Sequence, residues 1–396
     1  MHRWMAAMVA LVLLGACLQM LGPDGNSMPS NGLVITTATS GSSNVLYAFD
    51  PSTGKIDAWP SLNGTVYGGV LSADSKTLFL NIMHSGLRSD LNAIDARSGN
   101  VVWSLSLAAA GQPRIVDGVG LLTGEVTAVT GDDSLLYLWR SIKDSVVGIA
   151  ALNLKTQRPV AFSGPWNVAA GGIQLSAQRC SAPRAVLILV AGRQNASGGP
   201  RTDEAVYTLD AHTLAPLDSI SLAALGASAA ERIWQALPST DGRTLYVATS
   251  TRIVRYDVCS RSVLTSTPRP GTGLLTVVAA PAADTTLILT DVGVWPDTPG
   301  SGFIYLFGRN LDLRDSIDVS TPIGGVPMSP TATVTGSAMG GIDGRTVYVR
   351  AGSDEVGPLY PAQRARLLIV DFVNRRFVRA VDLTGFGLGL LFAPRN

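Results

Sequence analysis

The sequence predicts an all-β fold, a seven-bladed β-propeller of four-stranded antiparallel blades, and three observations predict it. A triplet of short strand-like segments recurs seven times between residues 33 and 383. The middle segment of most triplets ends in Asp or Asn at a turn: Asp50, Asp95, Asn153, Asp210, Asp257 and Asp371. The first triplet has no strand before it, and the strand-like GFGLGLLFAP (385–394) has none after it. The C-terminal strand is therefore expected to complete the first blade as its innermost strand, which shuts the ring and leaves no open sheet edge.

The N-terminus is separate from the fold. His2 and Arg3 precede an apolar run, Met5–Ala16. That run is too short to span about 30 Å of hydrocarbon, and it has the parts of a secretory signal. Its end, Leu14-Gly15-Ala16-Cys17, resembles the bacterial lipobox. The resemblance implies residues 1–16 as signal peptide, lipidation of the Cys17 thiol, and an exported protein anchored on the extracytoplasmic side of a membrane. Leu18 resembles the default outer-membrane sorting residue of cells with two membranes. Residues 17–32 are rich in Gly, Pro, Ser and Asn and read as a flexible tether. Residues 33–396 are the propeller.

Each unit can be followed in order. The first triplet is LVITTAT, NVLYAFDPSTG and KIDAWP; the second is TLFLNIM, DLNAIDARSG and NVVWSLSL. LLYLWR, VVGIAALNLKT and PVAFSG form the third, and AVLILVAG, EAVYTLDAHT and PLDSISL the fourth. The fifth is RTLYVATS, RIVRYDVCS and VLTSTP; the sixth is TTLILTD, GFIYLFGRN and LRDSIDVS. RTVYVRAG, RLLIVDFVNR and FVRAVDL make the seventh. Apolar residues alternate with small or polar ones at period two, the mark of a half-buried strand. Asx side chains bond to backbone two residues on and so favour the turns. The sixth unit has Arg309-Asn310 there and matches the pattern least. A smoother fourth strand lies between triplets, as in TVYGGVLSADSK (65–76), RIWQALPSTDGR (232–243), LLTVVAAPAADT (274–285) and ATVTGSAMGGIDGR (332–345). Repeats of roughly fifty residues with four strands each are propeller repeats.

DGRTLYVATSTRIVRYD and DGRTVYV resemble the YVTN repeat, a relative of the WD repeat. LYAFDPSTGKIDAWP and LNAIDARSGNVVWS resemble quinoprotein-type propeller repeats. These resemblances imply fold far more than function. Later units lack the quinoprotein tryptophan, so no cofactor is predicted. Trp59 and Trp103 are expected to pack between blades.

Charged residues make up 15% of the chain and the net charge is +1, so nothing points to nucleic acid. Only His84 and His212 remain once His2 leaves with the signal. Both are expected on the surface, which argues against triads and histidine metal sites. No P-loop, G-x-S-x-G or CxxC motif occurs, and the turn aspartates recur with the repeat, as structural groups do. No catalytic or metal-binding residues are therefore assigned. Cys180 and Cys259 fall in turns on one face of adjacent units; they either pair or remain thiols, and their Cα separation decides.

The opposite face carries long connections: 83–90, 191–204, 291–302 and 351–364, joined by the linkers 107–114, 162–167 and 322–330. Such loops on rigid scaffolds concentrate function. They offer Arg88, Arg193, Arg201, Trp295, Tyr360 and Arg364, residue types that anchor interfaces. The expected role is binding or scaffolding of a protein or glycan partner. The alternatives are a quinoprotein-like oxidoreductase and a relative of the outer-membrane assembly lipoprotein.

Overall fold

Strands begin where the period-two segments begin, and the turn aspartates set where they end. In a computed structural model, the structure describes residues 34–40, 43–50, 53–59, 62–72, 74–84, 89–109, 112–116, 119–121, 126–130, 132–143, 146–178, 180, 184–193, 202–239, 242–270, 274–279, 286–292, 303–319, 338–340, 346–351, 366–383 and 391–392. Among them all regular structure is β, and every strand pairing is antiparallel. The molecule is an all-β propeller.

The predicted pairing of the chain's ends is present. Leu391–Phe392 pairs antiparallel with Val34–Ser40, with Ile35 opposite Phe392 and Thr36 opposite Leu391. Ser43–Phe49 and Ile56–Ala58 continue that sheet outward. The sheet contacts of blade-edge strands are thereby made between the first and last described segments of the chain.

Seven separate four-stranded sheets were expected, and the described strands differ from this. Five sheets stand apart, and a sixth has seven strands. Its central strand, Arg158–Gln178, pairs first with Val146–Asn153 and then with Arg184–Arg193. The segment 162–167, read as a linker, is therefore continuous strand. Gly164 and Pro165 are accommodated where the register slips between Val147 and Ile149; Gly164 has φ +144° there, the kind of break in which a bulge absorbs both residue types. A second slip, between Val168 and Ile173, marks the change of partner.

Of the linker 107–114, residues 107–109 and 112–114 are also strand. Val101–Ala109 pairs with Gln112–Val116, which in turn pairs with Val119–Leu121. This gives the second sheet six strands. The linker 322–330 lies outside the described residues.

The turns after the third strands share one geometry. Asp95 accepts hydrogen bonds from the amides of Arg97 and Ser98 at 3.1 and 2.7 Å. Asp210 does so from His212 and Thr213, and Asp257 from Cys259 and Ser260. Four residues after the Asx, the chain turns left-handed at Gly54, Gly99, Gln157, Leu214, Arg261 and Arg375, with φ between 53° and 73°. Only the first two are glycine, so the side-chain cap holds four ordinary residues in a region they disfavour. The amide of Thr213 is the chief cause that keeps the Asp210 carboxyl below its usual range, and the amide of Ser260 does the same for Asp257. These carboxylates are ionised turn acceptors, as their repetition suggested.

The core is divided between facing sheets. Leu46, Ala48 and Trp59 of the first sheet pack on Leu71, Leu78, Leu80 and Ala96 of the second. Trp103 packs with Phe79, Leu91 and Leu136 at the next junction, its ring centroid 6.1 Å from that of Phe79. Both tryptophans lie between blades.

Candidate functional site

Antiparallel alternation puts the connections between second and third strands at one end of every blade. The Asx turns fall at the other. The loop end contains two described polar clusters, and both are built from residues flanking strand ends.

In the second blade, Asn81 and Ser89 lie on the strands Thr77–Met83 and Ser89–Asp95, either side of the 84–88 connection. Both are buried, and the Ser89 hydroxyl donates to Asn81 Oδ1 at 2.6 Å. His84 Nε2 sits 2.9 Å from Asp90 Oδ2. The sequence suggested a solvated surface histidine; the side chain is instead 24% exposed and held by a buried carboxylate. His212 is exposed in the Asp210 turn, as expected. The Ser89 hydroxyl is committed to Asn81 and not to His84.

Two carboxylates anchor the loop end where the seven-stranded sheet meets the sheet that begins at Ile233–Pro238. Glu204, at the start of Thr202–Asp210, is 4% exposed. It accepts from the Ile233 amide at 2.8 Å and from Arg232 at 3.2 Å. Glu231, also 4% exposed, accepts from Thr249 and Thr251 hydroxyls, both at 2.6 Å, and from the Ser228 amide at 3.0 Å. Arg252 completes the shell at 3.2 Å and also donates to the Gly226 carbonyl. Burial raises the Glu231 pKa, but the hydroxyl, amide and guanidinium partners outweigh it and bring it from 4.5 down to about 2.

This has a measurable consequence. Because the folded pKa is depressed, the stabilisation is complete above about pH 4.5 and is lost as the pH falls through about 2. Its size is on the order of 3 kcal/mol at neutral pH. Urea midpoints of the wild type and Glu231→Gln are expected to differ most near pH 6 and to converge toward pH 2. A difference that stays constant over that range would refute the assignment.

The sequence did not mark this network. Its signal is the short Thr249-Ser250-Thr251-Arg252 connection facing Glu231-Arg232, and only the fold brings the two together. Of the face residues picked from the sequence, Arg193 closes the strand Arg184–Arg193 at the loop end. Arg88, Arg201, Trp295, Tyr360 and Arg364 lie outside the described residues, as does Cys17. Cys180 and Cys259 are disulfide-bonded at the opposite end, with Cα atoms 5.4 Å apart. Among the described residues no cluster of three or more metal-ligating side chains occurs, and no helix is long and apolar enough to cross a membrane.

No protein-family model and no curated protein matches the chain. Solved structures do, at low identity. A functionally unknown protein from Desulfotomaculum acetoxidans superimposes with a TM-score of 0.59 at 12% identity, over 91% of this chain and 99% of that one. The hydrazine synthase of Kuenenia stuttgartiensis matches with a TM-score of 0.53 at 13% identity, over 82% and 88%. Dihydro-heme d1 dehydrogenase NirN, in complex with DHE, matches with a TM-score of 0.50 at 13% identity, over 91% of this chain and 66% of its own length. Such likeness establishes the propeller fold and nothing about chemistry.

Proposed function

We propose that this chain is a lipid-anchored, extracytoplasmic propeller of seven blades that binds a protein or glycan partner through its loop-rich end. The count of seven divides the long sheet at the Val168/Ile173 slip. It is supported by the innermost strands, each of which lies beside the next, until Leu391–Phe392 meets Thr65–Leu71. Anchoring rests on the lipobox-like Leu14-Gly15-Ala16-Cys17.

The asymmetry of the two ends carries the binding role. At one end the described turns are short and many are locked by Asx caps. The other carries connections as long as 352–365, and there the described carboxylates Glu204 and Glu231 are engaged in structural contacts. An end where Glu204 and Glu231 are spent on rigidity, and whose connections carry Arg, Trp and Tyr in the sequence, suits recognition better than acid–base chemistry. The fold neighbours that are enzymes share too little sequence to favour an oxidoreductase reading.

The test is crosslinking capture from cell-envelope extract. Trp295→Ala and Tyr360→Ala are each expected to weaken capture of the recovered partner by roughly thirtyfold in Kd, the effect of losing an aromatic anchor worth about 2 kcal/mol. Undiminished capture would exclude this face. Separately, Cys17→Ser is expected to abolish fatty-acid labelling and move the protein to the soluble fraction; continued labelling would exclude the anchor.

A further inference from the structure

One buried charge has no place in the structural networks described so far. Arg255 lies in the strand Arg252–Asp257 of the fifth blade and is 8% exposed. Its Nε is buried without a hydrogen-bond partner among the described residues, as is Arg252 Nε, but unlike Arg252 it has no carboxylate on its terminal nitrogens there. The neighbouring arginines behave differently: Arg232 pairs with Glu204, Arg252 with Glu231 and Arg261 with Asp218. No carboxylate among the described residues pairs with Arg255 in this way.

The register says where its side chain points. Arg255 stands directly opposite Tyr246 on one side and Thr265 on the other. Ile253, two residues earlier on the same sheet face, packs with Tyr246, Ala248, Phe307 and Leu311. Phe307 and Leu311 belong to the next blade, so this face is the crevice between the fifth and sixth blades. Thr265 also reaches across it, donating to the Asn310 carbonyl at 3.3 Å.

Comparison of the repeats makes the residue more unusual. Arg255 precedes the Asx turn residue by two. At that position the other units carry Ala48, Ala93, Ala151, Thr208, Leu306 and Ile369. All are uncharged, and all are buried. The repeat therefore asks for a small or apolar side chain here, and the fifth blade has a guanidinium.

An arginine cannot escape the cost of burial by losing its proton. Burying the Nε donor of a charged group without a partner is unfavourable. The cost is removed if an anion enters the crevice. The planar fork of the guanidinium takes two oxygens of one oxyanion side by side, and a residue 8% exposed points to a small ion rather than a large ligand.

We infer that the crevice between the fifth and sixth blades is a binding site for a small oxyanion, a carboxylate or inorganic phosphate, with Arg255 as its receptor. The site lies outside the loop-rich end and does not depend on the binding role assigned there.

Thermal unfolding of the purified protein in acetate, in inorganic phosphate and in chloride at equal ionic strength tests this. The wild-type midpoint is expected to rise by about 3–5 °C over the chloride control at a hundredfold excess over Kd. A response to acetate alone assigns a carboxylate ligand, and to phosphate alone a tetrahedral one. Arg255→Met fills similar volume without charge; it is expected to match or exceed the wild-type midpoint in chloride and to ignore both anions. Arg255→Lys keeps the charge but loses the fork, and at least tenfold weaker binding is expected. Anion responses equal in the wild type and Arg255→Met, or a wild type that responds to neither anion, would overturn the inference. If Arg255→Met does not fold, the acetate and phosphate titrations of wild type and Arg255→Lys decide by the same criterion.

Discussion

Serine at both Cys180 and Cys259 is expected to lower the unfolding free energy by about 2–4 kcal/mol. The disulfide closes a loop with a sequence separation of 79. By the chain-entropy relation that constraint on the unfolded chain is worth about 4.5 kcal/mol, and measured values usually fall below it. The bond joins the turn after Arg158–Gln178 to the turn after Arg252–Asp257. Its loss should therefore loosen the junction at which Val186, Ile188 and Val206 pack on Leu245, Val247 and Val254. Denaturant midpoints of the double serine variant and of the reduced wild type should agree, and amide exchange should rise across that junction. A variant within about 0.5 kcal/mol of wild type would mean that the bond adds nothing to packing already sufficient.

Trp59→Ala is expected to cost about 3–5 kcal/mol, the range for removing a large aromatic from a core. Trp59 is 8% exposed and covers the second blade's Asx turn. A Cβ built on Gly99 would lie 2.5 Å from its ring carbon Cγ, and Gly99 has φ +73°. Gly99→Ala is thus penalised twice, by roughly 1–2 kcal/mol for the left-handed backbone and by overlap with the ring. The Trp59→Ala/Gly99→Ala double variant removes the overlap and keeps the backbone cost. Its destabilisation should fall short of the sum of the singles by about 1–3 kcal/mol, the coupling expected of residues in contact. Strict additivity would show that the turn and the tryptophan do not press on one another.

Much of the propeller was legible because its rules are local. Alternation over six or seven residues marks a strand wherever it falls, so TLYVAT and RIVRYD could be placed without neighbours. Asp210 and Asp257 cap turns three residues away, well within reach of their own side chains. The closing strand was readable because the first unit lacked a partner that the last segment could supply. The errors were local too. Gly164 and Pro165 read as a linker, since both residue types usually interrupt strands, and a register slip instead let the strand pass through them.

The candidate sites were a different matter. Glu231, Thr249 and Thr251 are no motif in the sequence; they become a carboxylate cage because one blade folds its first, second and third strands together. Glu204 finds Arg232 across 28 positions. Nothing near Arg255 in the chain shows that its side chain faces another blade rather than water.

By itself, then, the order of residues determined which segments are strands, where they turn, and that the two ends belong to one sheet. Those outcomes depend on steric and hydrogen-bonding preferences of residues within a few positions of each other. Tertiary structure alone decided that Cys180 meets Cys259, which carboxylates are consumed in cages, and that one guanidinium lies between blades without a counter-charge among the described residues. Such facts depend on which faces of different blades come to lie against one another. Charge and thiol chemistry act across that space, whatever the separation along the chain.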